Sequence, residues 1–325
     1  MSMIDVSVVI PSYNHAAFVV EAVESALACR RVDLEIVVID DGSTDDSRDR
    51  LELVAGDPRV RIEHQENRGA HAALNRGCEL ARGRLIFILN SDDAYHPDRI
   101  ERLKARLDAS PEAALAASHI EVVDGAGSTI GVKHAWKTLP PWKPPTAGPY
   151  LSGLGDPRLA LLETNWLATT SNMAFPSSLI RDHGLRFAPL RYAHDWDFAL
   201  AACRHGTIEV VEEPLVRYRV HGANTIDEGG ADGRAAMHFE IMWVVARHAM
   251  ALLRSAAADE AQLAHLRELL WKSAPRFDRD PVLDQLLLLR GAAATPPPEY
   301  DALVSGDHPF RSAFLDQVGQ KSSQQ

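Results

Sequence analysis

Short apolar runs separated by amphipathic stretches dominate the first third of the chain. The runs read VSVVIP, EIVVID, RVRIEH and RLIFILN, at residues 6–11, 35–40, 59–64 and 84–90. Short runs rich in β-branched residues predict strands, and the continuous apolar character of the first two predicts strands that are covered on both faces. This pattern is typical of parallel strands inside a sheet.

Helical periodicity fills the intervals between these runs. Apolar residues recur there every three or four positions, which predicts helices buried along one face. These stripes cover residues 16–27, 70–81 and 100–107. Ser43 can cap a further helix with Asp45 and Asp46 in its first turn, and Pro97 can open the last one. Alternating strands and helices predict a doubly wound α/β domain.

The second half of the chain differs from the first in composition and in its hydrophobic pattern. Residues 134–158 are rich in proline and glycine and include Trp136, Trp142 and Tyr150. We expect a long loop there, either a lid or acceptor-binding insertion or a plain connector. Helical stripes return after about residue 232, as in residues 235–253 and 280–291, and residues 319–325 are expected to be disordered.

Composition and charge exclude several classes of protein. The chain has 325 residues, a net charge of −11 and three widely spaced cysteines. The negative charge argues against sequence-independent nucleic-acid binding, and the cysteines form neither a CxxC pair nor an even-numbered disulfide framework. There is no signal-peptide pattern and no apolar run of the roughly 18 residues that span a bilayer. We expect a cytoplasmic protein, with a peripheral position at the inner membrane face left open.

Three polar clusters follow predicted strands. They are residues 11–14, 40–43 and 90–93. The carboxyl ends of parallel strands share one edge of the sheet, where ligands bind in doubly wound folds, so convergence there predicts a site. The alternative for each cluster is ordinary turn and cap chemistry.

Two adjacent carboxylates, Asp92 and Asp93, suggest the chemistry of this edge. Mg2+ and Mn2+ prefer oxygen ligands, and Mg2+ takes one or two carboxylates and leaves positions for water and phosphate. The chain has no GxGxxG after the first strand and no GxxxxGK motif. A phosphate bound here would therefore be neutralised by a metal rather than by a glycine-rich loop.

A family resemblance runs through these segments. The phrases VSVVIPSYNHAAFVVEAVESAL, EIVVIDDGSTDDS, ENRGAHAALNRGCELARGRLIFILNSDD, TTSNMAFPSSLI, RYAHDWDFALAACRHG and EEPLVRYRVHGANTI occur in this order. Together they resemble the inverting glycosyltransferases of family 2, over residues 5 to about 226. The resemblance implies the GT-A fold, a doubly wound mixed sheet flanked by helices. It further implies a glycosyltransferase domain at 1–230, with a nucleotide-binding half at 1–110 and an acceptor half at 111–230, followed by a helical region at 231–325.

The resemblance also implies binding residues. Pro11 and Tyr13 match the loop beneath the nucleotide, Asp41 matches the acid that reads the base edge, and Asp92 matches the last acid of the DxD motif. His221 matches a histidine near the donor phosphates, so Asp92 and His221 are the implied ligands of a divalent metal, Mn2+ or Mg2+. The full implied donor site is Pro11, Tyr13, Asp41, Arg68, Asn75, Asn90, Ser91, Asp92 and Asp93. Arg217 and Arg219 lie on one face of a predicted strand and either neutralise diphosphate or face solvent.

The implied general base is Asp195, which matches the acid of the family's Glu-Asp motif. Asp195 would take the proton of the attacking acceptor hydroxyl. His194, Trp196 and Asp197 are candidates for acceptor contact or for support of the base. The alternative is that Asp195 and Asp197 cap the following helix, and that Trp196 packs in the core.

Two positions depart from the family pattern. Asn90 replaces the first acid of DxD, and His194 replaces a glutamate. The amide of Asn90 keeps a hydrogen-bonding oxygen but lacks the charge. These departures leave the effect on activity open.

The expected partners follow from the resemblance. They are a nucleotide-diphosphate sugar, by family resemblance a UDP-sugar, and a saccharide or lipid-linked saccharide acceptor in surface polysaccharide or glycoconjugate synthesis. No nucleic acid is expected, whereas peripheral membrane contact and a homo-oligomer stay open. The alternative functions are a sugar-phosphate nucleotidyltransferase and a non-catalytic nucleotide-sugar-binding or scaffold protein.

Overall fold

The structure is a computed structural model that describes most of the first 222 residues. The described ranges are residues 4–29, 31–135 and 157–222, together with seven helical positions between residues 237 and 248. Most of the 134–158 segment, the 280–291 helix and the 319–325 tail lie outside the described residues, so the predictions for them stay predictions.

One mixed sheet of nine strands organises the described residues. The strand order is β3-β2-β1-β4-β8-β6-β9-β5, with β7 paired to β6. β1, β2, β3 and β4 pair in parallel, whereas β8 joins antiparallel to β4 and β6. The strands are β1 (Val6–Ser12), β2 (Leu34–Asp40), β3 (Val60–His64), β4 (Leu85–Ile88), β5 (Ala94–Tyr95), β6 (Ala113–Val123), β7 (Thr129–Lys133), β8 (Ala174–Pro176) and β9 (Thr207–Arg219).

Seven α-helices accompany the sheet in residues 4–222, leaving the masked gaps aside. They are α1 (Val19–Leu27), α2 (Ser47–Glu52), α3 (Ala70–Leu80), α4 (Arg99–Ala109), α5 (Pro157–Glu163), α6 (Ser178–Arg181) and α7 (His194–Ala202), with a 3-10 turn at Thr170–Asn172. The predicted doubly wound α/β arrangement is confirmed in its strand and helix alternation up to α4.

The core explains why the first strands are apolar on both faces. Val8 and Ile36 are fully buried in a cluster that includes α1 and α4, whereas Val37 packs on the opposite face beside Ala73 of α3. Gly77 brings α3 against β1, because a Cβ there would lie 2.3 Å from a Val9 methyl carbon. Burial of each of these valine and isoleucine side chains contributes about 1.5–3 kcal/mol.

Several predicted boundaries were wrong. α2 begins at Ser47 and not after Ser43, because the Ser43 hydroxyl instead accepts the backbone N–H of Asn14. α4 begins at Arg99, two residues after Pro97. Pro157 starts a helix, so the loop predicted over residues 134–158 ends earlier.

The chain divides into two compact units. The first comprises Met1–Ala188 and Phe198–His221, and the second comprises Pro189–Asp197 and Gly222–Gln325. The first unit contains the whole nine-stranded sheet found in the described residues. Across the part of the chain that the structure describes, no helix is long and apolar enough to cross a bilayer.

Candidate active site

Two histidines and one aspartate converge in the first unit. His15 lies in the loop after β1, Asp92 in the turn between β4 and β5, and His221 just beyond β9. β1 and β4 are neighbours, and β5 pairs with the end of β9, so the sheet brings these three loops together. His221 Nε2 lies 3.2 Å from Asp92 Oδ2, and His15 Nε2 lies 3.9 Å from the same oxygen. The three ligand atoms all lie within 4.8 Å of one another.

The two adjacent aspartates face different surroundings. Asp92 points at the imidazoles with 14% of its side chain exposed. Asp93 is buried and accepts hydrogen bonds from the Ser171 hydroxyl at 2.6 Å and the Arg219 N–H at 2.9 Å. Burial and the neighbouring Asp92 charge raise the pKa of Asp93 to about 8. Asp93 is therefore hydrogen-bonded into the protein interior. Asp92 is the carboxylate that faces the two histidines.

Asn90 and Ser91 complete the β4–β5 turn. The Asn90 amide donates to Thr169 Oγ1 at 3.0 Å and accepts from the Thr170 hydroxyl at 2.6 Å. Ser91 is 1% exposed, and its hydroxyl lies 2.7 Å from His15 Nδ1. Both side chains thus hold neighbouring segments in place.

The loops after β1 and β2 hold each other. Pro11 is in β1, and Tyr13 beyond it is 44% exposed. Asn14 adopts a left-handed φ of 54°, and its side-chain oxygen accepts the backbone N–H of Thr44 at 2.8 Å. The His15 backbone N–H donates to Ser47 Oγ at 3.0 Å. These hydrogen bonds fix the path of the chain up to His15.

Three further residues of the predicted nucleotide-sugar site, Asp41, Arg68 and Asn75, lie at the end of β2, just before α3 and within α3. Asp41 is buried, and its carboxylate accepts the N–H groups of Arg68 at 3.0 Å and Gly69 at 2.8 Å. Asn75 exchanges two 2.9 Å hydrogen bonds with the Phe187 backbone. These contacts give Asp41 and Asn75 structural partners, and their binding roles stay predictions.

Arg219 links the end of β9 to the first helix. Its guanidinium donates to Glu21 at 2.7 Å and to the Asp92 carbonyl at 3.0 Å, and it lies over the Phe18 ring. Arg217 also reaches Glu21, at 3.5 Å, which agrees with the expectation that the two arginines share one strand face. Both cations therefore have carboxylate partners.

The second unit carries the predicted base. Helix α7 begins at His194, so Asp195 and Asp197 lie inside its first turn and not ahead of the helix. Asp195 is 7% exposed, and Trp196, likewise 7% exposed, donates its backbone N–H to Asp195 Oδ1 at 2.7 Å. The Glu240 carboxylate accepts the backbone N–H groups of residues 191–193, immediately before this helix.

Asp197 is held by two basic side chains of the second unit. Arg247 Nη1 and His248 Nε2 lie 2.9 and 3.0 Å from Asp197 Oδ1. Burial alone would raise the pKa of Asp197, but hydrogen bonding and charge from His248 and Arg247 outweigh it and lower that pKa. Asp197 is therefore ionised and forms salt bridges with both basic side chains.

Sequence reasoning missed His15 as a member of the cluster. The signal was available, because His15 closely follows the first polar cluster, on the edge that carries Asp92. The sequence does not show the left-handed φ of Asn14, nor that His15 Nε2 lies 3.9 Å from Asp92.

Comparison with known proteins identifies the family. The profile of Glycosyl transferase family 2 matches residues 7–153. An uncharacterized glycosyltransferase of Nostoc sp. is 31% identical over 227 residues, which are 67% of this chain and 66% of the relative. The chain belongs to glycosyltransferase family 2. A second relative of this family 2 chain, the succinoglycan biosynthesis protein ExoO of Rhizobium meliloti, is 43% identical over 39% of this chain and 36% of its own length. The matches thus span just under two thirds of the first relative and about a third of the second.

Solved structures show the GT-A fold. S. aureus TarS in complex with UDP-GlcNAc aligns with a TM-score of 0.61 at 18% identity, over 98% of this family 2 chain and 92% of TarS. The mannosyltransferase PcManGT of Pyrobaculum calidifontis, in complex with GDP-Man and Mn2+, aligns with a TM-score of 0.54 at 17% identity, over 99% and 87% of the two chains. The predicted GT-A fold is confirmed.

Proposed function

We propose that this chain is a metal-assisted inverting glycosyltransferase that moves a sugar from a nucleotide-diphosphate donor to a hydroxyl acceptor in polysaccharide or glycoconjugate synthesis. The observation that carries the proposal is Asp92 of the DxD-like turn, which meets His221 at 3.2 Å on the edge of the sheet where ligands bind in α/β folds. Family membership supports the reaction class, and the succinoglycan relative supports polysaccharide synthesis.

The residues fit a divalent cation. One carboxylate oxygen and imidazole nitrogens within 4.8 Å of one another form a suitable donor set. A cation there would supply positive charge to a diphosphate leaving group. Asp92 and His221 would hold it, and the neighbouring structure with GDP-Man and Mn2+ supports both this cofactor and a nucleotide-sugar donor. Uracil is the base we propose for the donor nucleotide, and thymine and guanine are the alternatives.

Asp195 is the proposed general base. Direct displacement at the sugar carbon requires a group that accepts the proton of the attacking hydroxyl. Asp195 lies in the first turn of α7 and has 7% of its surface exposed. Its neighbour Asp197 is paired with Arg247 and His248. The family resemblance assigns the base role to Asp195.

The test measures nucleoside diphosphate release from UDP-, GDP- and dTDP-sugars by the purified chain with Mn2+ and candidate acceptors. Asp195→Asn should retain donor binding and lose transfer, because the amide keeps the shape without the basicity. Asp92→Ala should lose metal-dependent donor binding. Asp49→Asn, at an exposed position of α2, is the matched control and should behave as the parent chain.

Each alternative has a distinct outcome. Transfer that continues at the parental rate in Asp195→Asn would remove the base assignment. Pyrophosphate release from a nucleoside triphosphate and a sugar 1-phosphate would instead identify a nucleotidyltransferase. Donor binding with no turnover on any acceptor would support the non-catalytic alternative.

A further inference from the structure

We propose that His15 is a third protein ligand of the divalent cation, so that the site is a His-Asp-His set from three different loops. This inference rests on the proposed function, because it concerns the same cation. It goes beyond the Asp92 and His221 pair that the family resemblance implies.

The distances match one shared ion. Two atoms that each lie about 2.1 Å from an ion are about 3 Å apart in neighbouring positions and about 4.2 Å apart in opposite positions. The separations from Asp92 Oδ2 are 3.2 Å to His221 Nε2 and 3.9 Å to His15 Nε2. The two imidazole rings are nearly perpendicular, with centroids 6.0 Å apart. Small side-chain rotations therefore suffice to place all three atoms around one ion.

Ser91 can hold the ring of His15 in the orientation that a ligand requires. A metal-binding imidazole donates its other ring N–H to a fixed acceptor, which orients the ring and leaves the opposite lone pair available. His15 Nδ1 lies 2.7 Å from the buried Ser91 hydroxyl oxygen, and Nε2 is the atom directed at Asp92. Ser91 is therefore a positioning residue for His15.

The loop presents His15 in a fixed position. The left-handed turn at Asn14, its bond to Thr44 and the 3.0 Å bond from the His15 N–H to Ser47 are all made by the protein itself. A ligand built on such a fixed loop loses little conformational freedom on binding. His15 is 23% exposed, so it remains accessible to an ion.

The donor set predicts metal selectivity. Imidazole nitrogens bind later first-row ions more strongly than Mg2+, which prefers oxygen ligands throughout. Two imidazoles and one carboxylate leave positions for diphosphate oxygens and water. We therefore expect Mn2+ and Co2+ to bind more tightly than Mg2+, and the preference to depend on His15.

The experiment measures Mn2+ binding directly, from the loss of the free-ion electron paramagnetic resonance signal. The full chain is titrated with Mn2+ alone and with Mn2+ in the presence of UDP or of GDP. Mg2+ is then added as a competitor. His15→Ala should weaken Mn2+ binding roughly tenfold or more and reduce the preference over Mg2+. Ser91→Ala should show a smaller loss, and His183→Ala, an exposed histidine after α6, should show none.

The outcomes separate this inference from the proposed function. If Asp92→Ala and His221→Ala lose Mn2+ while His15→Ala and His15→Gln bind like the parent chain, His15 is not a ligand and the proposed function stands. If the parent chain binds no Mn2+, or if Asp92→Ala retains it, the cation site itself is wrong and both proposals fall.

Discussion

At the scale of single residues, adjacency in sequence does not mean a shared role. Asp92 and Asp93 are chemically identical, yet Asp93 is enclosed by hydroxyl and backbone donors, whereas Asp92 faces two imidazoles. The two side chains leave a turn in which the Asp93 N–H donates to the Asn90 carbonyl at 3.1 Å, and they reach different partners. The sequence pattern assigned both carboxylates to the nucleotide-sugar site. Only their contacts in the structure distinguish the roles of the two residues.

Substitution at Asp93 should affect stability more than metal binding. Asp93→Ala leaves the Ser171 hydroxyl and the Arg219 N–H without their acceptor, and loss of a buried partner costs about 1–3 kcal/mol. Asp93→Asn keeps an acceptor oxygen and should cost less. Urea unfolding would measure both, with Asp92→Ala as the matched control that loses Mn2+ binding at a smaller cost in stability. Equal stability of Asp93→Ala and the parent chain would contradict the assignment.

Glu35 gives a pH-dependent prediction away from the site. Burial raises the pKa of this carboxyl, but the hydrogen bonds from Ser7 at 2.6 Å and from Arg82 outweigh burial and hold the pKa below its ordinary value. The native state therefore binds fewer protons than the unfolded chain near the unfolded pKa of about 4.3. Its stabilising contribution is present above that pH and is lost as pH falls through the lower folded pKa.

Glu35→Gln should remove this pH dependence. Urea midpoints of the parent chain and Glu35→Gln should differ most above about pH 5 and converge as the pH falls below about 4. Glu52→Gln, at an exposed position of α2, is the control and should follow the parent chain throughout. A difference between parent and Glu35→Gln that stays constant down to pH 3 would disprove the lowered pKa.

At the scale of elements, the start of α7 depends on a residue far along the chain. The three backbone N–H groups immediately before His194 donate to the Glu240 carboxylate, which holds the chain where it enters the helix. Asp197 is fixed by Arg247 and His248 in the same unit. Glu240, Arg247 and His248 therefore position the turn that carries the proposed base, Asp195.

Glu240→Ala should lower transfer more than donor binding. Removing the carboxylate frees the chain before α7, and a misplaced base costs roughly 10- to 100-fold in rate. We expect kcat to fall while the donor affinity, followed by nucleotide-dependent thermal stabilisation, is retained, and Glu240→Gln to recover part of the rate. A matching loss of donor affinity, or no change in kcat, would argue against a positioning role.

At the scale of the whole molecule, the sequence was most informative where burial alone determines which residues a strand carries. The ranges of β1, β2 and β4 follow from continuous apolar runs, because burial on both faces leaves no other pattern. β6 reads AALAASHIEVV, rich in the strongest helix former, and becomes a strand because β8, β9 and β7 pair with it. His15 was missed for a related reason, since its neighbour His221 is more than 200 positions away in the sequence.

Nucleotide and metal should stabilise the folded chain together. A ligand that binds only the native state adds about 2.7 kcal/mol at one hundred times its Kd, which raises Tm by several degrees. Melting curves with UDP, GDP, dTDP and CDP, each with and without Mn2+, should show one diphosphate whose effect depends on the metal. Asp92→Ala should lose the metal-dependent part of that shift. Stabilisation by a diphosphate that does not depend on Mn2+ would place donor recognition in the Asp41 region and remove the cation from the donor site. If no diphosphate stabilises the chain, the proposed nucleotide-sugar donor would be contradicted.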